Sequence, residues 1–125
     1  MLFLERGPLA RDERGKLEGV GGQVEREDLR SELVREVTEE IGALVRLGSI
    51  RFMELKSDFV VDTKKHWAIA SYICEYTSGT PKVREPGKIE AIHWMNPLTV
   101  ASERMTSSCR QSVASPTSYL AAQRD

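Results

Sequence analysis

The chain has 125 residues, 18 basic and 19 acidic side chains and a net charge of -1, with 40% hydrophobic and 30% charged residues. That balance fits one globular domain over residues 1–125, of a size that buries about two-thirds of its unfolded surface, and excludes a disordered chain. There is no overall positive field to attract a nucleic-acid polymer.

Cys74 and Cys109 lie far apart, with no CxxC or Cys/His spacing, which argues against a zinc site or a disulfide framework. The opening apolar run, Met1 to Leu4, is interrupted by Glu5 and Arg6, too short for a signal peptide or a membrane span. A cytoplasmic protein with no membrane partner is expected. Its assembly is left open, a homodimer included.

In chain order, "MLFLE" (1–5) reads as a strand and "RGPLARDERGK" (6–16) as a polar loop. "LEGVGG" then brings three glycines into six residues, suited to tight turning or close approach to a ligand. A helix is expected between Asp28, a good N-cap, and Gly42, suited to the left-handed C-terminal position. Leu29, Leu33, Val34, Val37 and Ile41 fall on one arc of roughly 140°, the expected core face.

"VRLGSIRFMEL" (45–55) predicts one or two strands, and "KSDFVVDTKKH" (56–66) a charged loop. "WAIASYICEY" (67–76) is apolar on both alternating faces, as in a strand buried mid-sheet. After the turn "TSGTPK", "IEAIHWM" (89–95) predicts another strand, and the Ser/Ala-rich tail a helix near 102–113 with a break at Pro116.

On the helical wheel Glu32, Glu36, Glu39 and Glu40 share an arc of roughly 100° adjoining the apolar face, with Glu40 inside it. Like charges at i,i+4 destabilise a helix, and half-buried carboxylates without partners cost more. A hard dication resolves the conflict, because Mg²⁺ takes carboxylate oxygens and substrate phosphates together. Arg35, one turn before Glu39, can orient that carboxylate. The competing reading is a solvated, salt-laced helix face.

The spacing weighs against that bland reading. Gly21, Glu27, Arg35, Glu36, Val37, Glu39, Glu40, Gly42 and Ala43 fill every fixed and apolar position of GX5EX7REUXEEXGU, with U apolar. The stretch resembles the signature of the Nudix hydrolase family, and its seven fixed positions coincide by chance at roughly 10⁻⁸ per start site. "SGTPKVREPGKIEAIHW" is similar to the downstream half of small members, so the resemblance covers residues 1 to about 98.

The resemblance implies an α/β (α+β) fold, a Nudix-type α/β/α sandwich with a mixed β-sheet. It also implies Mg²⁺- or Mn²⁺-dependent water attack on a phosphorus of a nucleoside diphosphate linked to another group. By matched position Glu36, Glu39 and Glu40 are metal ligands, or one of them the general base. Glu27 supports the metal waters, Arg35 orients a glutamate, and a carbonyl of Gly21 or Gly22 completes the metal shell. Glu85 in "REPGK" is the candidate for a further ligand or base supplied from a loop, with Glu90 near it.

Two departures carry expectations of their own. "GGQVERE" is one residue shorter than the usual glycine-to-glutamate approach, which would displace the glycine carbonyl. The chain also begins where most members have already completed a first strand, so the expectation is either a truncated chain, a start placed too late, or a protein with an open sheet edge.

The expected substrate is a small-molecule nucleotide, most simply a nucleoside triphosphate or modified nucleotide giving a monophosphate and pyrophosphate. ADP-ribose or a nucleotide sugar is the alternative, and a nucleotide-sensing domain without turnover is the rival class. Phe52, Phe59, Trp67 and Trp94 are expected in the core more than against a nucleobase, and Lys64, Lys65 and His66 in a solvated loop.

Overall fold

The computed structural model describes residues 1–24, 28–61 and 64–114. Its elements are β1 (Leu2–Arg6), β2 (Leu17–Glu18), α1 (Leu29–Ile41), β3 (Arg46–Val60), β4 (Lys65–Ser78), β5 (Ile89–Trp94) and α2 (Ser107–Ala114), with a 3₁₀ turn at Ser102–Arg104. They form two open antiparallel sheets, one ordered β2-β1-β5 and the other a β3-β4 ribbon. The expected break at Pro116 lies outside the described residues.

β1 organises the layers. Successive side chains of a strand point to opposite faces, and Phe3 and Leu4 are both fully buried. Phe3 packs with Leu17, Met105, Cys109 and Val113, whereas Leu4 packs with Val37, Ile41, Val45 and Ile89. One helix therefore covers each face, an α+β sandwich. β1 is flanked on both sides, by β2 and β5, so it is no edge strand. The sheet expected to be mixed has antiparallel ladders: the loop after β1 returns the chain as β2 on one side, and β5 pairs antiparallel on the other. Parallel pairing is confined to isolated bridges such as Leu17 with Met105.

The stretch 56–66 differs from expectation. β3 continues through it to Val60, and β4 begins at Lys65. Phe52 faces Tyr72, Leu55 faces Ala70 and Phe59 faces His66, with a register shift between Phe52 and Glu54. The other face holds Lys56 and Asp58, both turned onto α2. Lys56 Nζ donates to the Ser108 carbonyl at 2.6 Å, and Asp58 Oδ1 accepts from Ser107 Oγ at 2.5 Å and Gln111 Nε2 at 3.0 Å.

Consequently β4 is not a strand buried mid-sheet: none of its residues is fully buried. The aromatics expected in the core are also outside it. Phe52, Phe59 and Trp94 are exposed, and Trp67 is half-buried.

Candidate active site

α1 starts and stops as its sequence requires. The Asp28 side chain accepts from the Ser31 N–H at 3.0 Å, and Gly42 ends the helix at φ +113 with its own N–H donating to the Thr38 carbonyl. The buried side of the helix is rotated toward the glutamates: Glu32 is 4% exposed, while Val34, at the edge of the apolar arc, is 45% exposed. Leu29, in the first turn, is also exposed.

Arg35 makes that burial tolerable. Its Nη1 donates to both Glu39 oxygens at 2.8 Å, and its Nη2 donates to Glu36 Oε1 at 3.1 Å and to Glu32 Oε1. A planar guanidinium suits such forked pairing better than an ammonium. Glu32 Oε2 is buried with no hydrogen-bond partner among the described residues.

Glu40 lies on the same side of α1 but receives a backbone donor instead. The Gly21 N–H donates to its Oε1 at 2.9 Å. Burial pushes the Glu40 carboxyl up to about 8, against that hydrogen bond, and the charges of Glu18, Glu36 and Glu85 push the same way. Burial also raises Glu36, opposed by Arg35, and raises Glu18, opposed by Arg6. Arg6 Nη1 donates to both Glu18 oxygens at 2.8 Å.

The glycine loop is fitted to these carboxylates. A Cβ on Gly22 would lie 2.1 Å from Glu36 Oε1, so only glycine leaves that carboxylate where it is. The contact from Gly21 is an N–H to Glu40, where a carbonyl toward a metal was expected.

Beyond α1 opens a cleft of about 490 Å³ lined by Thr38, Glu39, Arg84 and Glu85. The loop after β4 is tied to the end of α1: the Lys82 N–H donates to the Ile41 carbonyl at 2.9 Å and the Arg84 N–H to the Glu40 carbonyl at 3.3 Å. This brings Glu85 and Glu39 to the lining of one cleft, although they are far apart in sequence. Glu90 instead lines a separate cleft with Glu5, Arg6 and Arg14.

Among the expected site residues, Gly21 meets Glu40, Gly22 meets Glu36, Arg35 joins Glu36 to Glu39, and Glu85 lines one cleft with Glu39. Glu27 lies outside the described residues. Glu32 was placed in the acidic arc but given no site role, and Glu18 and Arg84 were not singled out. Glu32 was readable one turn before Glu36, whereas nothing local in the sequence brings Glu18 or Arg84 to α1.

Among the described residues no three His, Cys, Asp or Glu side chains form a ready metal cage. The donor chemistry nevertheless fits a hard dication. Glu40 is a half-buried carboxylate whose neighbours Glu18, Glu36 and Glu85 add negative charge. Mg²⁺ characteristically takes one or two carboxylates, waters and substrate phosphates in place of an all-protein cage.

A glutamate-lined helix stands beside a polar cleft on an α+β sandwich, and the family match places this arrangement among hydrolases acting on pyrophosphate bonds. The family model described as NUDIX domain matches residues 1–114, and the chain belongs to that family. Among solved structures it is similar to a MutT NUDIX hydrolase from Burkholderia pseudomallei, with TM-score 0.79 and 24% identity over 90% of this chain and 84% of that one. At that identity the likeness is one of fold. No curated protein matches the chain. No helix among the described residues is long and apolar enough to cross a membrane.

Proposed function

We propose that the protein is a Mg²⁺- or Mn²⁺-dependent pyrophosphohydrolase of a nucleoside triphosphate or modified nucleotide, releasing a nucleoside monophosphate and pyrophosphate. One observation carries the reading: Glu40 is half-buried, with Glu18, Glu36 and Glu85 as negative neighbours, and a glycine loop is packed on both Glu40 and Glu36.

In this reading Glu36, Glu39 and Glu40 hold the cation, with Gly21 and Gly22 fixing the positions of Glu40 and Glu36. A bound dication supplies neutralisation of phosphate oxygens and acidification of water. Arg35 holds Glu39 and Glu36 in register until substrate and cation compete for their oxygens. Glu39 and Glu85 line the cleft, and one of them takes the proton of the attacking water. The water oxygen bonds to phosphorus, the bridging P–O bond breaks, and pyrophosphate leaves with its electron pair.

The test is a panel of nucleoside triphosphates, dinucleotides and sugar nucleotides, assayed with and without Mg²⁺ and with products identified. Turnover only with the metal, giving monophosphate and pyrophosphate, supports the reading. Turnover of nucleotide sugars or ADP-ribose alone moves the substrate class, and no turnover on the whole panel overturns the proposal. Glu39→Gln and Glu85→Gln then separate the bases: the variant whose acid limb vanishes from the pH profile identifies the proton acceptor.

A further inference from the structure

The cleft beside α1 contains a cation that the reaction described above does not use. Arg84 lines it with Glu39, Glu85 and Thr38, and its guanidinium makes no hydrogen bond or ion pair with another described residue. Arg35, by contrast, is committed to Glu32, Glu36 and Glu39. The backbone at Arg84 is held from both sides. Its own N–H reaches the Glu40 carbonyl, the Lys82 N–H reaches the Ile41 carbonyl, and the Glu85 carbonyl accepts from the Lys88 and Ile89 N–H groups at 3.2 and 3.0 Å. Arg84 is exposed and lines the cleft from a pinned backbone, which anchors a cation beside it for an anion.

The lining also tells what kind of anion. Glu39, Glu85, Arg84 and Thr38 include no aromatic ring and no aliphatic side chain beyond the threonine methyl, so the cleft has little to offer a nucleobase. Phosphate oxygens suit it, because a guanidinium fork pairs with them through two parallel hydrogen bonds.

Resting on the pyrophosphohydrolase reading, we infer that Arg84 grips the phosphate groups distal to the cleaved linkage. The enzyme then prefers a substrate ending in free phosphates over one whose pyrophosphate is capped by a sugar or a second nucleoside. Loss of the charged contact weakens binding of the free-phosphate substrate by about tenfold or more and leaves the capped one unaffected.

The experiment compares wild type, Arg84→Ala and Arg84→Lys on a nucleoside triphosphate and a nucleoside diphosphate sugar, with inorganic pyrophosphate binding measured in parallel by calorimetry. The expected result is a KM for the triphosphate raised about tenfold or more in Arg84→Ala, with kcat within about twofold and partial recovery in Arg84→Lys. The KM for the capped substrate stays unchanged, and pyrophosphate binds correspondingly more weakly. An unchanged triphosphate KM, or an equal rise for both substrates, overturns the inference. So does a wild type that prefers the capped substrate. If Arg84→Ala unfolds, Arg84→Gln carries the same comparison with the side-chain stem retained. Should wild type turn over neither nucleotide, the pyrophosphohydrolase reading fails by itself, and pyrophosphate binding still decides Arg84: equal affinity in wild type and variant refutes its role.

Discussion

The backbone N–H of Gly21 donates to Glu40 Oε1 at 2.9 Å, and this bond opposes the burial that pushes the Glu40 carboxyl up to about 8. Because the folded value lies above the unfolded value of 4.5, the folded state binds the proton more tightly. The stability associated with that proton is fully present below the unfolded value and is lost as pH rises through about 8. Glu18 and Glu36, both raised, act with the same sign. Metal-free protein is therefore expected to melt at falling temperatures as pH rises from about 5 to about 8. Glu40→Gln flattens the profile, and Mg²⁺ raises the wild-type midpoint most at the alkaline end. A midpoint independent of pH over that range contradicts the assignment.

Glu39→Gln and Glu40→Gln are each expected to lower kcat by about 10²-fold or more while leaving the circular dichroism spectrum native. Near-normal rates in both sink the metal assignment. Because Glu40 is the more buried of the two, its variant should also melt higher than wild type in the absence of metal at pH 8.

Arg35→Ala leaves the buried Glu32 carboxylate without the guanidinium that partners its Oε1. Breaking one half of a buried pair typically costs about 3 kcal/mol. A denaturant titration should show that loss, and Glu32→Gln added to Arg35→Ala should recover part of it. Equal stability of the single and double variants argues that the pair does not act as a unit.

Two glycine substitutions separate site from scaffold. Gly22→Ala places a methyl against the Glu36 carboxylate, the movable end of a side chain, so it is expected to reduce kcat with little change in stability. Gly79→Ala puts a methyl 2.1 Å from the Leu44 carbonyl at a residue with φ +94, so it is expected to lower the melting point. The reverse pattern rejects this division.

How much of this was legible in the sequence depends on whether local pattern and tertiary environment agree. α1 was readable because Asp28 and Gly42 cap it and its glutamates recur by turns, and β5 because "IEAIHW" stops before Pro97. The β3-β4 ribbon misled for a physical reason. Its charged Lys56 and Asp58 reach α2 while Leu55 and Phe59 are exposed, the inverse of ordinary amphipathic patterning, so a strand read as a charged loop. The rotation of α1 was hidden likewise, because a fully buried Glu32 depends on Arg35 lying over it. Glu85 could be named from its setting in "REPGK", but its place in one cleft with Glu39 depends on the contacts of Lys82 and Arg84 with the end of α1.

The inverted ribbon has a colloidal consequence. Phe52, Leu55 and Phe59 are exposed apolar side chains on a two-stranded sheet whose outer edges have no strand neighbour among the described residues. Such a surface invites edge-to-edge association, and the invitation strengthens with concentration and with salting-out ions. The surface most open to such association therefore lies on the ribbon, which belongs neither to the glutamate helix nor to its cleft. A single lysine at Leu55 is the economical way to weaken that association.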